Sequence, residues 1–261
     1  MNHVLRAFAG LALIVPTVAS ARAPETASSN TSAGTTAKKA TAKKKSTTKA
    51  SAKTADSGAA KAKAKASESA PPIIPSEGVA RVAEWVSASQ DNHALPYAIV
   101  DKTGGALFLF SAKGKPLAAV PVLVGIAPGD EATPGVGSKK LAEIGPAEKT
   151  TPAGRFLAKF GRPFRGERIL WVDYATSVAL HPIPTDVSAR EKRRERMLSP
   201  TAEDNRITFG CINVPKAFYG KALSPAFRRK GGYVYVLPDT KPIEDVFPRL
   251  RVQALATSAS R

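Results

Sequence analysis

The chain contains one cysteine, Cys211, within the run Arg206-Ile-Thr-Phe-Gly-Cys-Ile-Asn213, and His181 stands thirty positions before it. A lone thiol after a glycine, with the hydroxyl of Thr208 close by in sequence, has the makings of a nucleophile. A thiolate attacks carbonyl carbon, and an imidazole can take its proton and later return it to a leaving amine. Of the three histidines, His3 falls in an N-terminal leader pattern, which leaves His93 and His181 to activate the sulfur. His93, in Gln90-Asp-Asn-His-Ala-Leu95, reads as a solvated residue between a helix and a strand, whereas His181 ends an apolar, strand-like run. One cysteine cannot form an internal disulfide, and one Cys with two His falls short of an ordinary four-ligand zinc site. No carboxylates are spaced as a metal site either, so neither metal nor cofactor is expected.

Positioning two such side chains requires a folded scaffold, and composition marks where it begins. Residues 1–23 carry a basic start at Arg6, an apolar stretch broken by Pro16, and small-x-small sites at Ala19-Ser-Ala21 and Ala21-Arg-Ala23, the layout of a secretory signal peptide. The apolar stretch is shorter than the roughly 20 residues a membrane-spanning helix needs. The mature chain is therefore expected to be exported and to lack a membrane span. Residues 24–75 are dominated by Ala, Lys, Ser and Thr with lysine clusters at Lys38-Lys39 and Lys43-Lys44-Lys45, and read as a disordered tether. Much of the formal net charge of +18 comes from it. In an exported chain the polyanions within its reach are cell-wall and headgroup surfaces rather than nucleic acid, so an adhesive arm and a passive spacer are the two readings.

Residues 76–94 form a helical lead-in, with Val79, Val82, Ala83 and Val86 on one face. Strand signals follow. Ala98-Ile-Val-Asp101 and Ala106-Leu-Phe-Leu-Phe110 flank a Lys-Thr-Gly-Gly turn, the mark of a hairpin, and further strands are expected at residues 117–125, 169–174, 177–180 and 232–237. Proline and glycine punctuate the gaps. The expected fold is mainly β, a sandwich or open barrel with a few short helices over residues 95–240, followed by a C-terminal tail over 241–261. Pro215 suits a first helical position, which would put Cys211 just before a helix start whose amides favour the thiolate.

Three separated segments resemble the L,D-transpeptidase (YkuD) catalytic domains that cross-link peptidoglycan. Thr151-Pro-Ala-Gly-Arg-Phe156 is similar to the family's Thr-Pro-x-Gly-x-Phe segment, His181 follows a strand as the family histidine does, and Thr208-Phe-Gly-Cys-Ile-Asn213 resembles its Ser/Thr-x-Gly-Cys-x-Asn/Arg signature. Phe209 stands where many members carry a second histidine, and the charged stretch 186–205 lengthens the interval between histidine and cysteine. The resemblance implies a periplasmic cysteine acyltransferase of the β-sandwich or open-barrel L,D-transpeptidase type. Cys211 would be its nucleophile and His181 its base, oriented by a backbone carbonyl near Pro182 or Pro184. The amides of Gly210 and Cys211 would form an oxyanion hole, and peptidoglycan stem peptides would be the substrate.

Around this pair, Thr208 and Asn213 are candidates for bracing the turn or touching substrate, Arg206 and Arg155 for gripping a carboxylate, and Tyr174 for a weaker substrate contact. Residues 189–198, helix-forming and rich in arginine, would overhang the cleft as a lid, a basic grip or a solvated excursion. Two other functions compete. A hydrolytic variant would pass the acyl group to water, as an L,D-carboxypeptidase or a wall-protein-releasing hydrolase, and a non-catalytic module would bind peptidoglycan and adhere through its lysines.

Overall fold

The computed structural model describes residues 72–161 and 168–252, with the backbone alone for Val187 and Ser188. The expected signal peptide, nearly all of the expected tether, and the end of the tail lie outside the described residues. Among the described residues no helix is long and apolar enough to cross a membrane.

Helix α1 (Glu77–Ser89) starts where the Ser76 hydroxyl accepts a hydrogen bond from the Val79 amide at 3.3 Å, and it ends at Gln90, whose left-handed φ of 54° turns the chain away. Its buried face is Val79, Val82, Trp85 and Val86, as the apolar spacing predicts. A hairpin of β1 (Tyr97–Asp101) and β2 (Ala106–Phe110) comes next; the Asp101 carboxylate accepts from Thr103 Oγ1 and the Gly104 amide at 2.9 Å each and so closes the turn. The expected strand over 117–125 divides in two, β3 (Pro116–Pro121) and β4 (Val124–Gly125). Then come β5 (Gly154–Phe160), β6 (Leu170–Asp173), β7 (Val178–Pro182), β8 (Arg206–Thr208), β9 (Ile212–Val214) and β10 (Gly232–Val236).

Eight strands form one mixed sheet in the order β3-β2-β1-β10-β5-β6-β7-β9, nearly closed into a barrel, while β4 pairs with β8. Of the sandwich and the open barrel expected from the sequence, the second is found. Two junctions are parallel, β1 with β10 and β7 with β9; the other neighbours run antiparallel.

Strands β1, β2 and β10 are buried along their whole length, which explains their uninterrupted apolar sequences. The alternation of side chains then sorts them between two cores. Ala98, Val100, Leu107, Leu109, Val234 and Val236 join Leu180, Ile212 and Val214, roofed by Phe218, Leu223 and Phe227 from the helical run after Pro215. Tyr97, Ile99, Phe108 and Tyr235 face the other way, against α1. Phe247 and Leu250 are buried in that second core, so the folded body continues past the tail boundary expected at residue 240.

Strand β5 is not among the expected strands. Its outward positions carry polar or half-exposed residues, and among its seven residues only Ala158 is fully buried, so it lacks the apolar run that marks β1 or β10. The charged stretch 186–205 is an ordered part of the body. Helices α2 (Thr185–Glu191) and α3 (Arg193–Met197) are separated by Lys192 at a left-handed φ of 50°, and Arg193 and Met197 are buried.

Candidate active site

The parallel pairing of β7 with β9 aligns Leu180 with Ile212, His181 with Asn213 and Pro182 with Val214. Leu180, Ile212, Val178 and Val214 point into the first core. Period two therefore sends the alternate strand residues Ala179, His181 and Asn213 to the opposite, outward face. His181 on β7 and Cys211, the residue directly before β9, are both partly exposed.

His181 Nδ1 lies 2.8 Å from the carbonyl oxygen of Pro182. A carbonyl only accepts, so Nδ1 carries the proton, and in the neutral ring Nε2 is left as the basic nitrogen. The side-chain amide nitrogen of Asn213 is 3.3 Å from Nε2. Asn213 is fully buried, and its Oδ1 accepts from the Arg193 guanidinium at 2.7 Å. Arginine has donors only, which settles the amide orientation: oxygen toward Arg193, NH2 toward the imidazole.

The Cys211 thiol donates to the carbonyl of Ser177 across 3.7 Å. Burial pushes the thiol above its ordinary range, while the Ala179 amide and the positive charge of Arg193 act in the opposite direction without overcoming it. This corrects the expectation of a thiolate favoured by a helix start. Strand β9 intervenes between Cys211 and the helix, which begins only at Lys216. A thiol held protonated needs a base within reach, and the partly exposed imidazole of His181 is suited to that task.

The turn that presents Cys211 is braced from both sides. Thr208 Oγ1 donates to the Cys211 carbonyl at 2.6 Å and accepts from the Gly210 amide at 3.1 Å. The Gly210 carbonyl accepts from Thr151 Oγ1 at 2.8 Å, and the same hydroxyl takes the Gly125 amide at 2.8 Å. Gly210 has φ of 118°, and a Cβ there would come within 2.7 Å of the Thr150 carbonyl oxygen, so both conformation and space demand glycine. The Gly210 amide, expected in an oxyanion hole, is committed to Thr208 in this arrangement. The Cys211 amide lies at the start of β9.

Behind this turn sits a buried ionic cluster. The Lys102 ammonium, fully covered, donates to the carbonyls of Gly129 and Thr151 at 2.6 and 2.9 Å and lies 3.1 Å from Asp130 and 3.4 Å from Asp239. Arg206 completes it through Asp239 at 2.7 Å. Arg206 is thus tied into the frame and does not present its fork to the outward face. Arg155 is likewise taken, paired with Asp91 and lying 3.9 Å over the Tyr233 ring. His93 packs by the same Tyr233, at 5.7 Å between ring centroids, on the α1 side of the sheet. Tyr174 is 58% exposed and stacks on Trp171 at 4.6 Å, a surface aromatic in the turn leading to β7. Phe209, 38% exposed, carries the Lys149 ammonium 3.9 Å above its ring.

Two contributors went unrecognised in the sequence. Thr151 lies within a quoted motif, yet its role as the hydroxyl that ties Gly125 to Gly210 depends on contacts 26 and 59 residues away. Arg193 sits in a run of basic residues, and no local signal separates it from Arg190 or Arg194. Among the described residues no group of three or more His, Cys, Asp or Glu side chains is arranged to hold a metal ion.

No protein-family model and no curated protein matches the sequence. Among solved structures, an L,D-transpeptidase from Xylanimonas cellulosilytica matches at 13% identity and a TM-score of 0.34, over 54% of this chain and 60% of that one. The chain therefore spans less than two thirds of the length of that protein's structure.

Proposed function

We propose that the chain is a cysteine acyltransferase of the L,D-transpeptidase type, acting on peptidoglycan stem peptides in the periplasm. The observation that carries this reading is the β7–β9 register, which pairs His181 with Asn213, two residues after the sole cysteine, with His181 Nδ1 tied to the Pro182 carbonyl. Together with the Thr208-Phe-Gly-Cys-Ile-Asn213 signature, it supports Cys211 as nucleophile, His181 as base and the Pro182 carbonyl as the acceptor that orients it.

In the first half-reaction the Cys211 sulfur bonds to the carbonyl carbon at the L-centre of a donor tetrapeptide while its proton passes to His181 Nε2. The tetrahedral oxyanion forms beside the Cys211 amide, and a second donor is available if the Gly210 amide exchanges its bond to Thr208. Collapse breaks the peptide bond, His181 returns the proton to the departing D-residue, and a thioester remains. An amine of a second stem peptide then attacks the thioester, loses its proton to His181 and regenerates the thiol. Water as acceptor would give the hydrolytic variant through the same steps. The lysine-rich tether serves in this reading to hold the domain near the anionic wall.

The test is incubation of the full mature chain with purified tetrapeptide stem fragments and mass identification of the products. The expected result is release of the terminal D-residue with a cross-linked or shortened peptide, abolished in Cys211→Ser and in His181→Ala and retained in His93→Ala. Turnover that survives Cys211→Ser contradicts the reading.

A further inference from the structure

The stretch that lengthens the interval between His181 and Cys211 sends one side chain back into the site. Arg193 is 7% exposed, in a run where Arg190 and Arg194 lie at the surface. The left-handed turn at Lys192 ends α2 and starts α3 with Arg193 directed inward, where its Nε donates to Glu191 Oε2 and its NH1 to Asn213 Oδ1, each at 2.7 Å. From there the amide of Asn213 reaches His181 Nε2 at 3.3 Å, and His181 Nδ1 reaches the Pro182 carbonyl.

We propose that Arg193 is a positioning residue for the acyl-transfer pair: its guanidinium, steered by Glu191, sets the amide of Asn213 so that the NH2 group faces His181 Nε2. The inference rests on Cys211 and His181 being nucleophile and base. The geometric part follows from donor and acceptor types. An arginine cannot accept, so the Asn213 oxygen must turn to it. The amide NH2 must then turn to the imidazole, and an NH2 facing Nε2 requires that nitrogen to present its lone pair. The ring is thereby held at rest as the Nδ1–H tautomer, and the 3.3 Å contact at Nε2 gives way when that nitrogen takes the thiol proton. The electrostatic part is that a cation near a partly desolvated thiol favours the thiolate, and Arg193 acts on Cys211 in that sense against the effect of burial.

A lysine at this position would keep the charge but not the planar fork that serves Glu191 and Asn213 at once. Among the described residues, the titratable and charged groups about this face include His181 from β7, Arg193 from α3 with Glu191 from α2, and Lys149 above Phe209 beside the cysteine turn.

Because Cys211 is the only cysteine, iodoacetamide alkylation followed by intact mass reports on this sulfur alone and needs no substrate. The rate against pH would be measured on the full mature chain for the wild type, Arg193→Met and Arg193→Lys. The expected result for Arg193→Met is a midpoint moved up, with alkylation at neutral pH slowed severalfold. For Arg193→Lys the midpoint stays near the wild-type value while kcat on stem peptide falls about tenfold or more and KM changes little, because the amide of Asn213 is no longer fixed. An unchanged midpoint in a folded Arg193→Met overturns the electrostatic part, and an unchanged kcat in Arg193→Lys overturns the positioning part. Should Arg193→Met not fold, Arg193→Lys decides alone: loss of kcat with the midpoint kept supports the proposal, and unchanged kcat overturns it. If the wild type itself turns over no stem peptide, the proposed function fails, and the alkylation profiles still decide whether Arg193 governs the thiol.

Discussion

Thr151 connects the folded frame to the chemistry through one oxygen atom. Its hydroxyl donates to the Gly210 carbonyl and accepts from the Gly125 amide, and its own carbonyl receives the Lys102 ammonium. Replacing it with valine keeps the shape and removes both side-chain bonds, leaving a buried amide and a carbonyl without that partner. Thr151→Val is expected to lower stability by about 1–3 kcal/mol in urea denaturation. It is also expected to reduce turnover more than substrate binding, because the turn bearing the sulfur loses a tether. An unchanged denaturation midpoint and unchanged kcat would show that the hydroxyl is dispensable. Arg206 shows the limit of reading such residues from sequence. It lies next to the cysteine motif and has the chemistry to bind a carboxylate, yet its fork goes to Asp239, 33 residues away in sequence. Proximity along the chain names candidates, while the ion pair that claims a side chain comes from tertiary structure. Thr208 was the reverse case, since a hydroxyl three residues before Cys211 can close a local turn, and that local bond is what forms.

Strands and turns were legible in proportion to how local their causes are. The β1–β2 hairpin follows from two apolar runs around Lys-Thr-Gly-Gly, and β10 from a five-residue apolar run, so both stand where the sequence places them. Strand β5 was hidden because its polar outward residues mask an alternation whose inward side is only partly buried. The helices of the insertion were legible but their packing was not: a run of Arg, Lys and Glu favours helix wherever it lies, and only the left-handed Lys192 turns Arg193 inward. In the turn from β8 to β9 the glycine is set by two independent constraints, its φ of 118° and the Thr150 carbonyl oxygen that a Cβ would meet at 2.7 Å. Gly210→Ala is expected to shift that turn, cost about 1–3 kcal/mol of stability and abolish measurable turnover. Thermal unfolding alongside an activity assay checks this, and a fully active alanine variant would mean that the sulfur does not depend on this backbone geometry.

The described residues form a nearly closed sheet with apolar cores on both faces, and a buried ionic cluster locks the loops behind the cysteine turn. Asp130 is the acceptor that gathers these loops. It takes the amides of Asp239, Thr240 and Lys241 and the Thr240 hydroxyl, besides the Lys102 ammonium. Burial works to raise its proton affinity, but the donated hydrogen bonds prevail and hold the carboxyl well below the ordinary carboxylate range. In the unfolded chain the group returns to that ordinary range. Its contribution to stability is therefore present above the unfolded value and is lost as pH falls toward the depressed folded value. Denaturation midpoints are expected to decline as pH drops below about 4. Asp130→Asn, which leaves Lys102 short of a charged partner, is expected to be about 3–5 kcal/mol less stable at neutral pH and to show a flatter acid decline. A variant that keeps the full acid decline would assign that stability to other carboxylates.

The proposed function turns on one event, the formation of a thioester at Cys211, and the most direct measurement is the intact mass of the full mature chain shortly after mixing with a tetrapeptide stem fragment. The account predicts a covalent adduct equal to the peptide without its terminal D-residue, mapped to Cys211 by fragmentation, labile to hydroxylamine, absent in Cys211→Ser and strongly slowed in His181→Ala. Release of the D-residue with no adduct on the sulfur, or an adduct that forms at the same rate without His181, would contradict it.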